Sequence, residues 1–147
     1  MTRQEKAREL FLKGYNCSQS VFTAFCDKFD LDEETALKIS AGLGGGVGRQ
    51  REVCGCVSGA AMALGSVAAG TKEGDDKAKM KNYALVGEFC DKFKAAHSTI
   101  ICKELLLNSG ETLFGTNPDP KTYEFYKDRP CLVLVENAVK ILEEFYD

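Results

Sequence analysis

Cys54-Gly-Cys-Val-Ser-Gly-Ala-Ala-Met-Ala-Leu-Gly-Ser-Val-Ala-Ala69 is the stretch on which the architecture of this chain turns. Gly55, Gly59, Ala60, Ala61, Ala63, Gly65 and Ala68 leave little side-chain bulk over much of a helical surface. A helix so bare lets neighbouring backbones come close, and its expected place is the centre of a helical bundle. Directly before it stands Gly42-Leu-Gly-Gly-Gly-Val-Gly48, which cannot be regular helix because glycine is too costly there.

Working outward, every other segment reads as helix or turn. Residues 2–13 set Ala7, Leu10 and Phe11 on one side of a short amphipathic helix stopped by Gly14. A second helix is expected from Asn16, a good N-cap, to Phe29, with Val21, Phe22, Phe25, Cys26 and Phe29 at three- and four-residue spacing. Asp32 caps a third, through Ala36, Leu37 and Ile39 to Ala41. After the central helix, a polar loop from Thr71 to Asp76 leads to a long fifth helix ending near Ala96. Ser98 is expected to cap a sixth over Thr99–Leu107. Asn108-Ser-Gly110, Asn117-Pro-Asp-Pro120 and Asp128-Arg-Pro130 mark turns, and a last helix opens at Pro130, carrying Leu132, Val133, Val135, Ala138, Val139, Leu142 and Phe145. Period-two strands are absent. The expected fold is an all-α, compact multi-helix bundle with a central small-residue helix.

The chain has 147 residues, 44% hydrophobic and 28% charged, the balance of a globular protein rather than a disordered one. The length fits a single helical domain, residues 1–147, that hides roughly 70% of its unfolded surface. A net charge of -3 argues against nucleic acid as a partner, since phosphate neutralisation needs a basic face. No 18-residue apolar run exists to span a membrane, and the charged start at Met1 lacks the apolar stretch of a secretory signal. The expectation is a cytoplasmic protein. The small-residue central helix would suit a homodimer as well as an internal contact.

Cysteine is the anomaly, with seven: Cys17, Cys26, Cys54, Cys56, Cys90, Cys102 and Cys131. In a reducing compartment such residues are catalytic, metal-binding or simply buried. Cys26 and Cys90 fall mid-helix among apolar neighbours and read as core. Cys17 follows its cap Asn16, Cys54 follows the glycine loop, Cys131 follows Pro130, and Cys102 is placed about four residues into its helix. Helix N-termini offer unpaired N–H groups and partial positive charge, which favour thiolate. Thiolate is the form that attacks disulfides and binds metals. Cys54 and Cys56 lie about 200° apart on a helix, so both face one site only if the helix starts after Cys54. A C-x-C pair forms a strained disulfide or clamps a soft metal, while Cys56 alone would fill a small slot.

Asn16-Cys17-Ser18-Gln19, Gly42 to Arg49, Val53 to Gly59, and then Cys102 and Cys131 before a last helix resemble the C_GCAxxG_C_C family, whose members are described as redox proteins. The resemblance runs from about residue 14 to 145. It implies that Cys17, Cys54, Cys102 and Cys131 are the family's four signature cysteines. A similar domain occurs in split-Soret cytochromes, which implies a cysteine-bound iron–sulfur centre. Cys56 stands where the motif has alanine, adding a ligand or resolving thiol. With no C-x-x-C-H sequence, covalent haem is not carried over.

Two chemistries follow. In one, Cys17, Cys54, Cys102 and Cys131 ligate an iron–sulfur cluster or other metal for electron transfer with a redox partner the sequence does not name. Their gaps, roughly 30 to 50 residues, match no ferredoxin or zinc-finger spacing, so the fold itself must gather them. In the other, metal-free thiol–disulfide or peroxide chemistry uses Cys54 as the attacking thiol, helped by Arg49 and Arg51, with Cys56 or Cys17 resolving. The glycine loop lacks the G-x-x-x-x-G-K-[ST] pattern and follows a helix, so its expected role is tight turning around Cys54 rather than nucleotide binding. His97, the single histidine, is expected in a surface loop.

Overall fold

The computed structural model describes residues 1–108 and 130–146. Among them are seven α-helices and no strand: α1 (Arg3–Leu12), α2 (Cys17–Thr23), α3 (Glu33–Ser40), α4 (Gly55–Ala68), α5 (Asp76–His97), α6 (Cys102–Asn108) and α7 (Cys131–Glu143). The architecture is all-α. The turn-rich stretch around Asn117-Pro-Asp-Pro120 lies outside the described residues. No helix is long and apolar enough to cross a membrane among those residues.

Local chemistry starts each helix. Thr2 and Asn16 form reciprocal capping boxes with Glu5 and Gln19, and Asp32 and Asp75 accept from the N–H groups of Thr35 and Ala78. These side chains satisfy donors that the first helical turn leaves open.

α4 is the packing centre, with α2, α5 and α7 against it. Its Gly55, Cys56, Val57, Gly59, Ala60, Ala63 and Leu64 are buried. A Cβ added at Gly59 would stand 2.9 Å from the Ser18 carbonyl oxygen, and one at Gly55 would stand 3.0 Å from the Ser18 nitrogen. The two glycines therefore set how closely α2 and α4 approach. Phe89 and Phe93 of α5, and Val135, Ala138, Val139 and Leu142 of α7, close the core. The small-residue helix is thus used internally.

Two boundaries differ from the sequence expectation. The second helix stops at Thr23, and a 3-10 turn, Cys26–Lys28, replaces its last part. Phe25 leaves helical geometry at φ -113°, ψ 9°, and Arg3 holds the released end. Its guanidinium donates to the Ala24 carbonyl at 2.7 Å, grips both carboxylate oxygens of Asp27 at 2.7 and 2.8 Å, and lies 4.7 Å over the Phe25 ring. Cys26 is accordingly a buried residue of this turn, not a mid-helix one. The second difference concerns Ser98, which ends α5 in a left-handed conformation at φ 73° and caps nothing after it. Residues 99–101 lie outside any helix, Thr99 Oγ1 accepts from the Ile101 N–H, and α6 begins only at Cys102.

Arg3→Ala is expected to cost about 1–2 kcal/mol in urea unfolding, and Arg3→Lys to recover less than half, because lysine cannot reproduce the two-pronged grip. Hydrogen bonding from Arg3 holds the Asp27 carboxyl below its ordinary value. A depressed folded pKa means stability that is present above the unfolded carboxylate pKa and lost as pH falls through the folded one. Arg3→Ala should flatten that acid-side loss. Identical pH–stability profiles for native and variant proteins would show that the grip contributes nothing.

A candidate redox site of clustered thiols

The site assembles from three helix starts. Cys17 is the first residue of α2, Cys54 the N-cap of α4, and Cys102 the first residue of α6. Asn16 fixes the first of these, accepting from the Gln19 N–H at 2.9 Å and donating from its side-chain amide to the Ala41 carbonyl at 2.8 Å. Cys54 is extended, at φ -54° and ψ 135°, and the helix begins at Gly55. That is the condition under which the two thiols of Cys54-Gly-Cys56 face one place, and Cys17 and Cys54 are the neighbours that act most strongly on the Cys56 thiol.

Cys102 arrives by a different device. Val53 and Ile101 form an isolated antiparallel bridge, flanked by Cys54 N–H to Ile100 carbonyl at 2.8 Å and Cys102 N–H to Glu52 carbonyl at 2.6 Å. This short pairing ties the entrance of α4 to the entrance of α6. Cys102 feels the charges of Cys54 and Cys17 as a result.

The glycine loop completes the enclosure. Gly45, Gly46, Val47, Gly48 and Arg49 all have positive φ, between 55° and 73°, and Arg51 follows at 64°. Gly48 N–H donates to the Gly42 carbonyl at 2.8 Å, Arg51 N–H to that of Gly45 at 3.1 Å, and Glu52 N–H to that of Gly46 at 2.9 Å. This left-handed turn presses Gly46 on the site, where an added Cβ would lie 2.7 Å from the Cβ of Cys102. It also carries Arg51 inward, and one guanidinium nitrogen stands 3.7 Å from the Cys102 sulfur. Arg51 therefore serves Cys102, not Cys54 as its position in sequence suggested.

Electrostatics here correct a second expectation. Hydrogen bonding to Cys17 and Cys54, followed by complete burial, pushes the Cys56 thiol well above its ordinary value. Burial likewise raises Cys102, with Arg51 opposing. The helix-start position of Cys102 was expected to lower its thiol pKa, yet there a partial charge does not offset removal of a thiolate from water. None of the seven cysteines is in a disulfide. Ser18, next to Cys17 and wholly buried, has a hydroxyl with no hydrogen-bond partner. An orphan of this kind costs about 1–3 kcal/mol unless an acceptor arrives.

The remaining sequence candidates lie as follows. Cys131 opens α7 behind Pro130, half-buried and packed against the core. Cys90 packs half-buried on α5, and burial raises its thiol. His97 is not in a surface loop. It ends α5 half-buried, 4.7 Å from the Phe93 ring, with its Nε2 3.3 Å from the Asn137 amide. Among the described residues, no three Cys, His, Asp or Glu side chains are already disposed as the ligand set of a metal ion. The Arg51–Cys102 contact and the Val53–Ile101 bridge were missed in the sequence. The β-branched Val53, Ile100 and Ile101 beside two cysteines were the available signal.

Thiols gathered at helix starts in an all-α fold define the class, a small helical protein built around a cysteine site. A family model described as "Putative redox-active protein (C_GCAxxG_C_C)" matches residues 15–145, and the chain belongs to that family. No curated protein and no solved structure matches it.

Gly46→Ala should destabilise the protein by about 2–3 kcal/mol, since it joins left-handed strain to a clash with backbone and Cys102. Gly42→Ala is the control, because an added Cβ there meets nothing within 4 Å. Urea unfolding decides, and equal stability of the two variants would contradict the placement of the turn against Cys102.

Proposed function

We propose that this protein transfers electrons through a redox centre bound by its clustered cysteines, an iron–sulfur cluster or another thiolate-ligated metal. The single observation that carries the reading is the convergence of Cys17, Cys54, Cys56 and Cys102 at three helix starts, with Arg51 alongside. The donor chemistry suits soft metals, which sulfur ligands select. Ligands bind as thiolates, and several thiolates in one buried place repel unless a cation joins them. The raised Cys56 and Cys102 thiols are what such a place looks like while protonated. Cys17, Cys54 and Cys102 would hold the group, with Cys131 or Cys56 as the fourth ligand. Binding requires these side chains to lose protons and turn toward a common centre. When bound, the group supplies one-electron chemistry; the chain buries it, supplies N–H dipoles at three helix starts and sets the Arg51 charge at Cys102. The Ser18 hydroxyl is a spare donor for sulfur beside Cys17.

A second reading rests on Cys17 and Cys54 being the strongest neighbours of the Cys56 thiol, which makes them potential disulfide partners for it. Two thiols would then give one disulfide, two protons and two electrons, the electrons passing to a disulfide or peroxide acceptor.

The experiment is anaerobic purification followed by a visible spectrum and assays for iron and acid-labile sulfide. The expected result is a coloured protein whose iron falls at least about tenfold in Cys17→Ser or Cys102→Ser and is retained in Cys26→Ser and Cys90→Ser. A colourless, metal-free protein with titratable thiols would replace the first reading with the second.

A further inference from the structure

α5 spans 22 residues, yet only Phe89 and Phe93 are fully buried. Ala78, Asn82, Leu85, Val86, Phe89 and Phe93 make its inward face. The opposite face of a surface helix is ordinarily polar. Here it carries Met80 at 65% exposure and, on its edge, Tyr83 at 63%, together with exposed Ala84 and Gly87. A Cβ added at Gly87 would meet nothing within 4 Å, and its backbone φ is not in the left-handed region. Among the described residues, nothing therefore requires glycine at a position where it weakens the helix.

Lys77, Met80, Ala84, Gly87 and Asp91 repeat at three- and four-residue intervals, the spacing of the seam between two paired helices. We infer that this face pairs with the same face of a second copy of the chain, the two α5 helices running antiparallel about Ala84. In that register Met80 of one copy lies over the space left by Gly87 of the other. Lys77 stands opposite Asp91, and Lys81 beside Glu88. All four charged residues are exposed. A parallel pairing would instead set Lys77 against Lys77 and Asp91 against Asp91, so the charges select the antiparallel arrangement. The large-over-small match and the charge match are independent, and both give the same register. The central helix α4, which the sequence offered as a dimer surface, is occupied inside the fold.

About four helical turns make a contact smaller than a standard interface, so the dimer should be weak and in exchange with monomer. Sedimentation equilibrium of the whole chain, from micromolar to millimolar protein, measures it. Lys77→Glu alone and Asp91→Lys alone should each weaken association about tenfold, by facing like charges, and the two together should restore it. Gly87→Leu should also weaken association about tenfold while raising the thermal stability of the monomer, which separates loss of pairing from loss of folding. A chain that stays monomeric at millimolar concentration would overturn the inference. So would a dimer indifferent to the charge swap, since it would use another face.

Discussion

Everything in the site depends on how closely α2 can approach α4. Gly59 meets the Ser18 carbonyl oxygen and Gly55 meets the Ser18 nitrogen and the Cys17 Cβ, at distances where an added Cβ would force the neighbouring helix to shift. Were α2 held off by one methyl group at either position, Cys17 would move away from Cys54 and Cys56, and the three-thiol contact would open. The bareness of α4 is therefore a constraint on chemistry as much as on packing. It also explains why so small a helix can be so buried: neighbouring backbones supply the contacts that large side chains supply elsewhere.

Bringing thiols together this closely sets two electrostatic effects against each other. Helix starts favour the anion by a fraction of a charge, while burial and neighbouring sulfurs disfavour it. For Cys56 and Cys102 the second effect wins. Neither of these two thiols is a ready nucleophile, because the thiolate fraction that attack requires is suppressed. The site is instead a place where a cation would release several protons at once, which is why burial counts here in favour of a ligated centre rather than against one.

Much of this was legible in the sequence, and the misses share a cause. Helix type, order and the caps at Asn16 and Asp32 follow from short-range rules that act within four residues. The centrality of α4 followed from composition alone. What escaped were features set by residues far apart in sequence. Arg3 ending α2 at Ala24 and Asp27 is one, and the pairing of Val53 with Ile101 is another. Ser98 misled because serine is a good N-cap by propensity, yet here its backbone turns left-handed and closes α5. Once that turn is known, the displacement of α6 to Cys102 follows, and so does the place of Cys102 at the first turn rather than a turn later.

The left-handed turn at residues 45–49 shows what the fold tolerates to keep this arrangement. Left-handed geometry costs a non-glycine residue about 1–2 kcal/mol, and Val47, Arg49 and Arg51 all adopt it. Val47 is β-branched, the residue type least suited to it, and it is not buried, so packing does not compensate. The offset comes from the backbone hydrogen bonds linking 42–46 to 48–52 and from the pairing of Glu52 and Cys54 with residues 100–102. Relaxing the turn would withdraw Gly46 from Cys102 and take Arg51 away from its sulfur. Strain held in place by surrounding structure points toward function when relief would dismantle a site. The sequence offered the glycine loop as a tight turn around Cys54 or, less aptly, an anion cradle. In the fold it delivers a cation to a thiol, the service a site of accumulated sulfur charge most needs.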